Sequence, residues 1–221
     1  MWLRRCIDLG GTLNPGRGAA VASLTILLAG CAASGTKPEK SEVESEVAPA
    51  PIVFEVSPEA QALYEQAVWT MASGDIVDAE LRLKEFLLQY PGYPGAHVNL
   101  AIMYRENGDT DAAMAEVEAA LAIDPNNPAA LNQKGLLLRK NGKFVEAEAA
   151  YLKAVTASPD YALAHYNLGV LNELYLQQLD VALQHYEVYQ SLVGEDEQVG
   201  KWITDLKRRV AANQRTSNAS D

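Results

Sequence analysis

The chain has 221 residues, 48% of them apolar, with 18 basic against 29 acidic side chains and a formal net charge of −11. That balance excludes a nucleic-acid role, because phosphate binding needs a basic surface. Acidity names no partner of its own, and its plainest meaning is solubility.

At the start, Arg4, Arg5 and Arg17 precede an apolar run from Ala19 to Ala29 that closes as Leu28-Ala29-Gly30-Cys31. A basic segment, a short apolar run and small residues before a cleavage point make a secretory signal. A run this short cannot cross a bilayer core, which needs about 20 residues. The closing four residues resemble the lipobox of bacterial lipoproteins, a Leu and two small residues before an acceptor cysteine. That resemblance implies removal of residues 1–30 and acylation of Cys31 on its thiol and new amine, which anchors the chain in a lipid bilayer. One acyl chain anchors marginally, and two or more anchor stably. Cys6 leaves with the signal, so Cys31 has no disulfide partner in an oxidising compartment. Ala32 stands where an Asp would mark inner-membrane retention in Gram-negative lipoproteins, so for such a source the resemblance implies the outer membrane, facing the periplasm. A simple signal peptide in which Cys31 is one more small residue is the alternative. Asp8 and the stretch Gly10 to Gly18 are untidy for a basic segment, and a start downstream of Met1 would leave the lipobox unchanged.

Residues 31–56 shift to Ser, Lys, Glu, Pro and Ala with no helical stripe, and read as a disordered tether. A flexible coil of about 25 residues has a root-mean-square reach of roughly 25 to 30 Å. Its one apolar patch is Ile52-Val53-Phe54. Ser57-Pro58 then supplies an N-cap and a first-turn proline, where a folded domain begins.

From there a period governs the chain. Pro91, Pro125 and Pro159 each close an apolar helix end, and Gly74, Gly108 and Gly142 each precede a small residue, Ala79, Ala113 or Ala147, by five places. Glycine lets one helix stop and turn; alanine lets the next press closely against it. The third unit reads Leu131-x2-Lys134-Gly135-x2-Leu138, then Ala147-x3-Tyr151, then Pro159. The second reads His97-x2-Leu100-Ala101-x2-Tyr104, then Ala113-x3-Val117, then Pro125. These phrases resemble the tetratricopeptide repeat, whose form is W-x2-L-G-x2-Y, A-x3-F and P over 34 residues.

Two more degenerate units flank them. The first gives Leu63-x2-Gln66-Ala67-x2-Thr70, Ala79-x3-Leu83 and Pro91. The fourth keeps His165-x2-Leu168-Gly169-x2-Asn172, but its small residue Ala182 arrives one place late, before Tyr186, which predicts an inserted residue around Leu176-Gln177-Gln178. Four units at about 60–93, 94–127, 128–161 and 162–195 fill residues 57–193. Behind them, Gly194-Glu195-Asp196 breaks the pattern. A last helix over 195–212 carries Val199, Trp202, Ile203, Leu206 and Val210 on one face and Lys201, Asp205, Lys207, Arg208 and Arg209 on the other, as a solenoid cap requires. Residues 213–221 read as a disordered polar tail. The expected fold is therefore all-α, a tetratricopeptide superhelix with a C-terminal capping helix.

Catalytic patterns are missing. His97 and His165 hold the fourth position of their units, a packing position, and His185 has no spaced His or Cys for zinc. There is no nucleophile elbow and no phosphate-cradling glycine loop, and Asp109-Thr110-Asp111 suits a turn and helix N-cap. The reading is a non-enzyme with no cofactor and no metal.

The resemblance implies a concave groove lined at positions 2, 5, 9 and 12 of each unit. These positions give Tyr64, Val68 and Met71; Val98, Ile102 and Arg105; Asn132, Leu136 and Arg139; and Leu163, Tyr166 and Val170. Arg105 and Arg139 should stack one period apart. An apolar strip beside paired guanidinium groups suits an extended segment carrying a carboxylate. Equally, an arginine in a last helical turn can simply complement the helix dipole. The family's chaperone-tail clamp does not carry over, since Tyr64 and Val68 stand where it needs Lys and Asn and only Asn99 matches. The favoured function is a membrane-tethered scaffold for another envelope protein or peptide. The stretch His185 to Gln190, with Lys201 to Arg209, resembles small repeat proteins accompanying the TonB/ExbB/ExbD system; pilotins of type IV pili and peptidoglycan-enzyme adaptors are alternatives. The rival class is a small-ligand binder or accessory of an envelope enzyme, with a deep pocket between Ile52–Phe54 and the groove. Self-association through the groove or near Leu176 is a third reading.

Overall fold

The computed structural model describes residues 57–218. The signal 1–30, Cys31 with the tether to residue 56, the patch Ile52–Phe54 and residues 219–221 lie outside the described residues. Within them every regular element is helical: α1 (Pro58–Ser73), α2 (Ile76–Gln89), α3 (Pro94–Glu106), α4 (Thr110–Ile123), α5 (Pro128–Lys140), α6 (Phe144–Ala157), α7 (Ala162–Leu171), α8 (Leu179–Val193) and α9 (Glu197–Asn218).

Local chemistry sets these limits. The Ser57 hydroxyl accepts from the Ala60 amide, Asp75 caps α2 through Asp78, Asp109 caps α4 through Ala112, and Asn127 caps α5 through Ala130. α3 ends when Gly108 turns to φ 86°, which lets its amide donate to the Arg105 carbonyl and that of Asp109 to the Tyr104 carbonyl. The same closure ends α5, where Gly142 donates to Arg139 and Lys143 to Leu138.

α1 to α8 form four antiparallel hairpins. Each second helix packs on the next first helix, and the first helices α3, α5 and α7 also touch in succession. The core runs as linked clusters down this stack. The tenth residue of units two to four, Met103, Leu137 and Leu171, packs inward. Its counterpart in unit one, Trp69, has no preceding unit against it among the described residues and is 72% exposed.

The inserted residue of unit four is absorbed by a π turn, Asn172–Leu176, followed by Gln177 at φ 60° where the other units use glycine. The Asn172 carbonyl accepts from the Gln178 amide, closing the widened turn. α9 covers the last hairpin, with Val199, Ile203 and Leu206 buried against Ala182, Tyr186 and Tyr189. It runs to Asn218 rather than stopping at residue 212, a correction to the sequence reading. Ala211 to Arg215 holds no glycine or proline, and pairs such as Lys201–Glu197 and Arg209–Asp205 stitch the outer face.

The helix-to-helix contact inside each hairpin follows a size rule. Units three and four put glycine against tyrosine: a Cβ on Gly135 would lie 2.6 Å from the Tyr151 Cδ1, and one on Gly169 equally close to Tyr186. Units one and two put alanine against a smaller partner, Ala67 with Leu83 and Ala101 with Val117, all buried. A larger residue on the second helix thus faces a smaller one on the first. Gly135→Ala should therefore cost about 1 to 3 kcal/mol by overpacking. Adding Tyr151→Leu should restore part of that loss, so that the two changes couple in a denaturant-unfolding double-mutant cycle. Additive losses would show that the ring does not abut Gly135.

Candidate functional site

The first helices of the four hairpins carry the proposed groove, and their rows divide sharply by burial. The ninth-position row, Val68, Ile102, Leu136 and Val170, is apolar and half-buried, forming a strip from hairpin to hairpin. Half of the fifth-position row does not line the groove as expected. Val98 is 5% and Asn132 2% exposed, so both belong to the junctions between units. Met71 is likewise buried.

Val98 packs with Ala120 and Ala130, and Asn132 belongs to a ladder linking position five of one unit to position six of the next. Asn99 Nδ2 donates to the Tyr64 hydroxyl at 2.8 Å, and Asn167 Nδ2 donates to Asn132 Oδ1 at 2.8 Å. Asn99 and Asn132 are consumed by these bonds. At the middle junction Val98 offers no acceptor, and Gln133 Oε1 is buried without a partner. Tyr64 itself packs on Phe86 and Tyr93, with ring centroids 5.6 and 4.6 Å away. Tyr166 lies half-buried among Tyr186, Tyr189 and Trp202. Of the residues assigned to the groove, Tyr64, Val68, Ile102, Arg105, Leu136, Arg139, Leu163, Tyr166 and Val170 keep some exposed surface, whereas Met71, Val98 and Asn132 do not.

In the twelfth-position row, the pair Arg105 and Arg139 behaves as the spacing implied. Arg105, Leu136, Arg139 and Lys140 line one cleft of about 340 Å³, completed by Tyr175 from the π turn. Tyr175 stacks on Phe144, with ring centroids 4.5 Å apart. Arg105 pairs with its neighbour Glu106, and Lys140 Nζ donates to Thr110 Oγ1 at 3.2 Å. Arg139 Nη1 is buried and has no hydrogen-bond partner among the described residues. The Tyr151 hydroxyl is also buried and unpartnered. Burial pushes its pKa up to about 12, against the opposing fields of Arg139 and Arg105. The next residue in the row, Glu173, is turned away, accepting from Arg209 at 2.8 Å and from Tyr186. Sequence reasoning missed Lys140, Tyr175 and Glu173. The thirteenth and twelfth positions could have been read by extending the same register, but Tyr175 enters only through the π turn.

The histidines need one correction. His185 does have a neighbour: its Nδ1 lies 3.1 Å from Nδ1 of His165. The Pro159 carbonyl can only accept, so His165 carries its proton on Nε2, 3.1 Å away, and its Nδ1 accepts from His185. His97 Nδ1 meets Glu116 at 2.7 Å. No group of three or more candidate metal ligands occurs among the described residues, and no described helix is long and apolar enough to cross a membrane.

Comparison with known proteins accounts for this architecture. The tetratricopeptide repeat family matches residues 70–136, and a second model of the same repeat matches residues 135–174. The chain thus carries tetratricopeptide repeats folded as a superhelix. It is 30% identical over 95 residues to a peroxisomal targeting signal receptor of Eremothecium gossypii, over 43% of this chain and 16% of that one. The structure of Pseudomonas aeruginosa pilF superposes with TM-score 0.61 at 25% identity, covering 71% of this chain and 72% of the other. The first repeat domain of RPAP3, bound to an HSP90 peptide, superposes with TM-score 0.50 at 21% identity over 53% and 95%. The chain spans about half or less of the curated relatives it matches.

Burial and the adjacent His165 lower the pKa of His185 from 6.5 to about 4. The folded state thus favours neutral His185, and its contribution to stability, complete above pH 6.5, is lost as pH falls towards 4. Melting temperature should drop between pH 7 and 5 in the wild type and drop less in His185→Phe. Parallel pH profiles would show that His185 titrates normally.

Proposed function

We propose that these tetratricopeptide repeats form a lipid-anchored scaffold of the bacterial envelope, holding an extended segment of another envelope protein in the groove of the first helices. The observation that carries the reading is the half-buried apolar strip Val68, Ile102, Leu136 and Val170, running beside the cations of Arg105 and Arg139. Such a surface gives an extended chain apolar contact along its length and a fixed point for negative charge. The similarly folded repeat domain of RPAP3 holds an HSP90 peptide, and a use of that kind is proposed for this groove.

The anchoring half of the proposal rests on Leu28-Ala29-Gly30-Cys31 and Ala32 in the sequence. In this reading Cys31 fixes the chain to the outer membrane, the tether gives it reach, and the repeats face the periplasm. The stretch His185 to Gln190 favours a complex of the TonB/ExbB/ExbD type over pilotin-like or peptidoglycan-enzyme roles.

Crosslinking in intact envelopes followed by affinity capture tests both halves. The wild type should sediment with membranes and retain a specific envelope protein. Cys31→Ser should release the chain from membranes, and Arg105→Glu with Arg139→Glu, at equal folded abundance, should lose the partner. Capture of no protein by the wild type would refute the scaffold, and an unaltered membrane fraction in Cys31→Ser would refute the anchor.

A further inference from the structure

We propose that the cleft between the last turns of α3 and α5 and the π turn is an oxyanion site, built to take a doubly charged acidic group from the segment bound in the groove. The inference deepens the scaffold reading and rests on it for the source of the ligand.

Charge provides the first argument. The chain carries a formal net charge of −11, yet three cations, Arg105, Arg139 and Lys140, converge on one cleft. Glu106 offsets Arg105. Lys140 meets only the neutral hydroxyl of Thr110, and Arg139 makes no ion pair among the described residues. Two positive charges therefore stand unbalanced. Glu173, which the register places in the same row, is held by Arg209 and the Tyr186 hydroxyl.

Hydrogen bonding provides the second. Arg139 Nη1 is buried with no acceptor among the described residues. A charged donor in that state is among the costlier defects a fold can hold, and a turn of the guanidinium toward an oxyanion in the cleft that Arg139 lines would remove the cost. The helix ends do not demand these side chains, because the carbonyls of Arg105 and Arg139 already accept from Gly108 and Gly142. Complementing the helix dipole is worth only about 0.3 to 1 kcal/mol at an exposed site, a weak reason to bury a guanidinium nitrogen.

Shape provides the third. Leu136 and the Tyr175 ring, braced by Phe144, flank the cations and suit the apolar part of whatever bears the charge. Tyr175 is there because unit four carries the inserted residue, so the wall of the cleft comes from the one departure from the repeat. Two sources supply such a charge on a protein segment: a phosphomonoester, which carries close to two negative charges at neutral pH, or adjacent carboxylates.

Isothermal titration of the full chain at low salt, with inorganic phosphate, a tetraglutamate peptide and acetate as probes, tests the site. At least one dianionic or polyanionic probe should bind, with acetate weaker. Arg139→Gln should weaken binding about tenfold or more, the loss of one charge-assisted contact. The exposed Lys140→Gln, which leaves the fold untouched, should weaken it in the same direction, whereas Lys207→Gln on the cap should not. Stronger tetraglutamate binding identifies an acidic segment, and stronger phosphate binding a phosphoryl group. Absence of binding by every probe, or equal binding in all variants, would overturn the site. The titration needs no protein partner, so it can fail while envelope capture succeeds, and the reverse.

Discussion

The contact between the small eighth residue of each unit, on its first helix, and the larger residue at about position 24, on its second helix, is the constraint on which the structure depends. It sets how closely two helices of a hairpin approach, and the period repeats that approach four times. In units three and four the division of space is extreme, with Tyr151 over Gly135 and Tyr186 over Gly169. In units one and two alanine faces a leucine or a valine. Because each hairpin has one spacing, its first helix always turns the same positions outward, and the groove is a consequence of the core.

Much of this was legible in the sequence, since the proline and glycine spacings of units one to three and the small-to-large pairing of all four are local signals. The position of the inserted residue was legible too, because Ala182 arrives one place late. How the chain accommodates it was not: a π turn with Gln177 in the left-handed region is a compromise between hydrogen bonding and packing that spacing alone does not express. The burial of Val98 and Asn132 was also hidden. Asn132 is drawn in by a bond from Asn167 across the junction, and Val98 by packing on Ala120 and Ala130, contacts that the spacing of one unit does not express. The twelfth-position pair behaved differently. Arg105 and Arg139 are long enough to reach past the junction, so the spacing that set them one period apart also brought them to a common cleft.

Charge placement separates the two ends of the solenoid. At the cap, Arg209 and Glu173 neutralise each other, and Lys207 pairs with Glu187. In mid-groove Arg139 and Lys140 are left unbalanced beside an apolar strip, and an acidic chain that keeps them so gains nothing in stability from the arrangement. The gain lies in recognition, where a long apolar strip contributes affinity without much selectivity and a fixed cationic point sets direction and register for the bound segment. The Tyr175 wall, contributed by the insertion, ties that point to this chain rather than to the repeat in general.

Site-specific photocrosslinking in living cells addresses the central claim, that the groove of the first helices is where another protein binds. A photoreactive residue at Ile102, on the strip, is compared with one at Val145, exposed on a second helix. The account predicts one discrete crosslinked partner from position 102 and none from position 145. Crosslinks that form from position 145 alone would place binding on the outer face and contradict it.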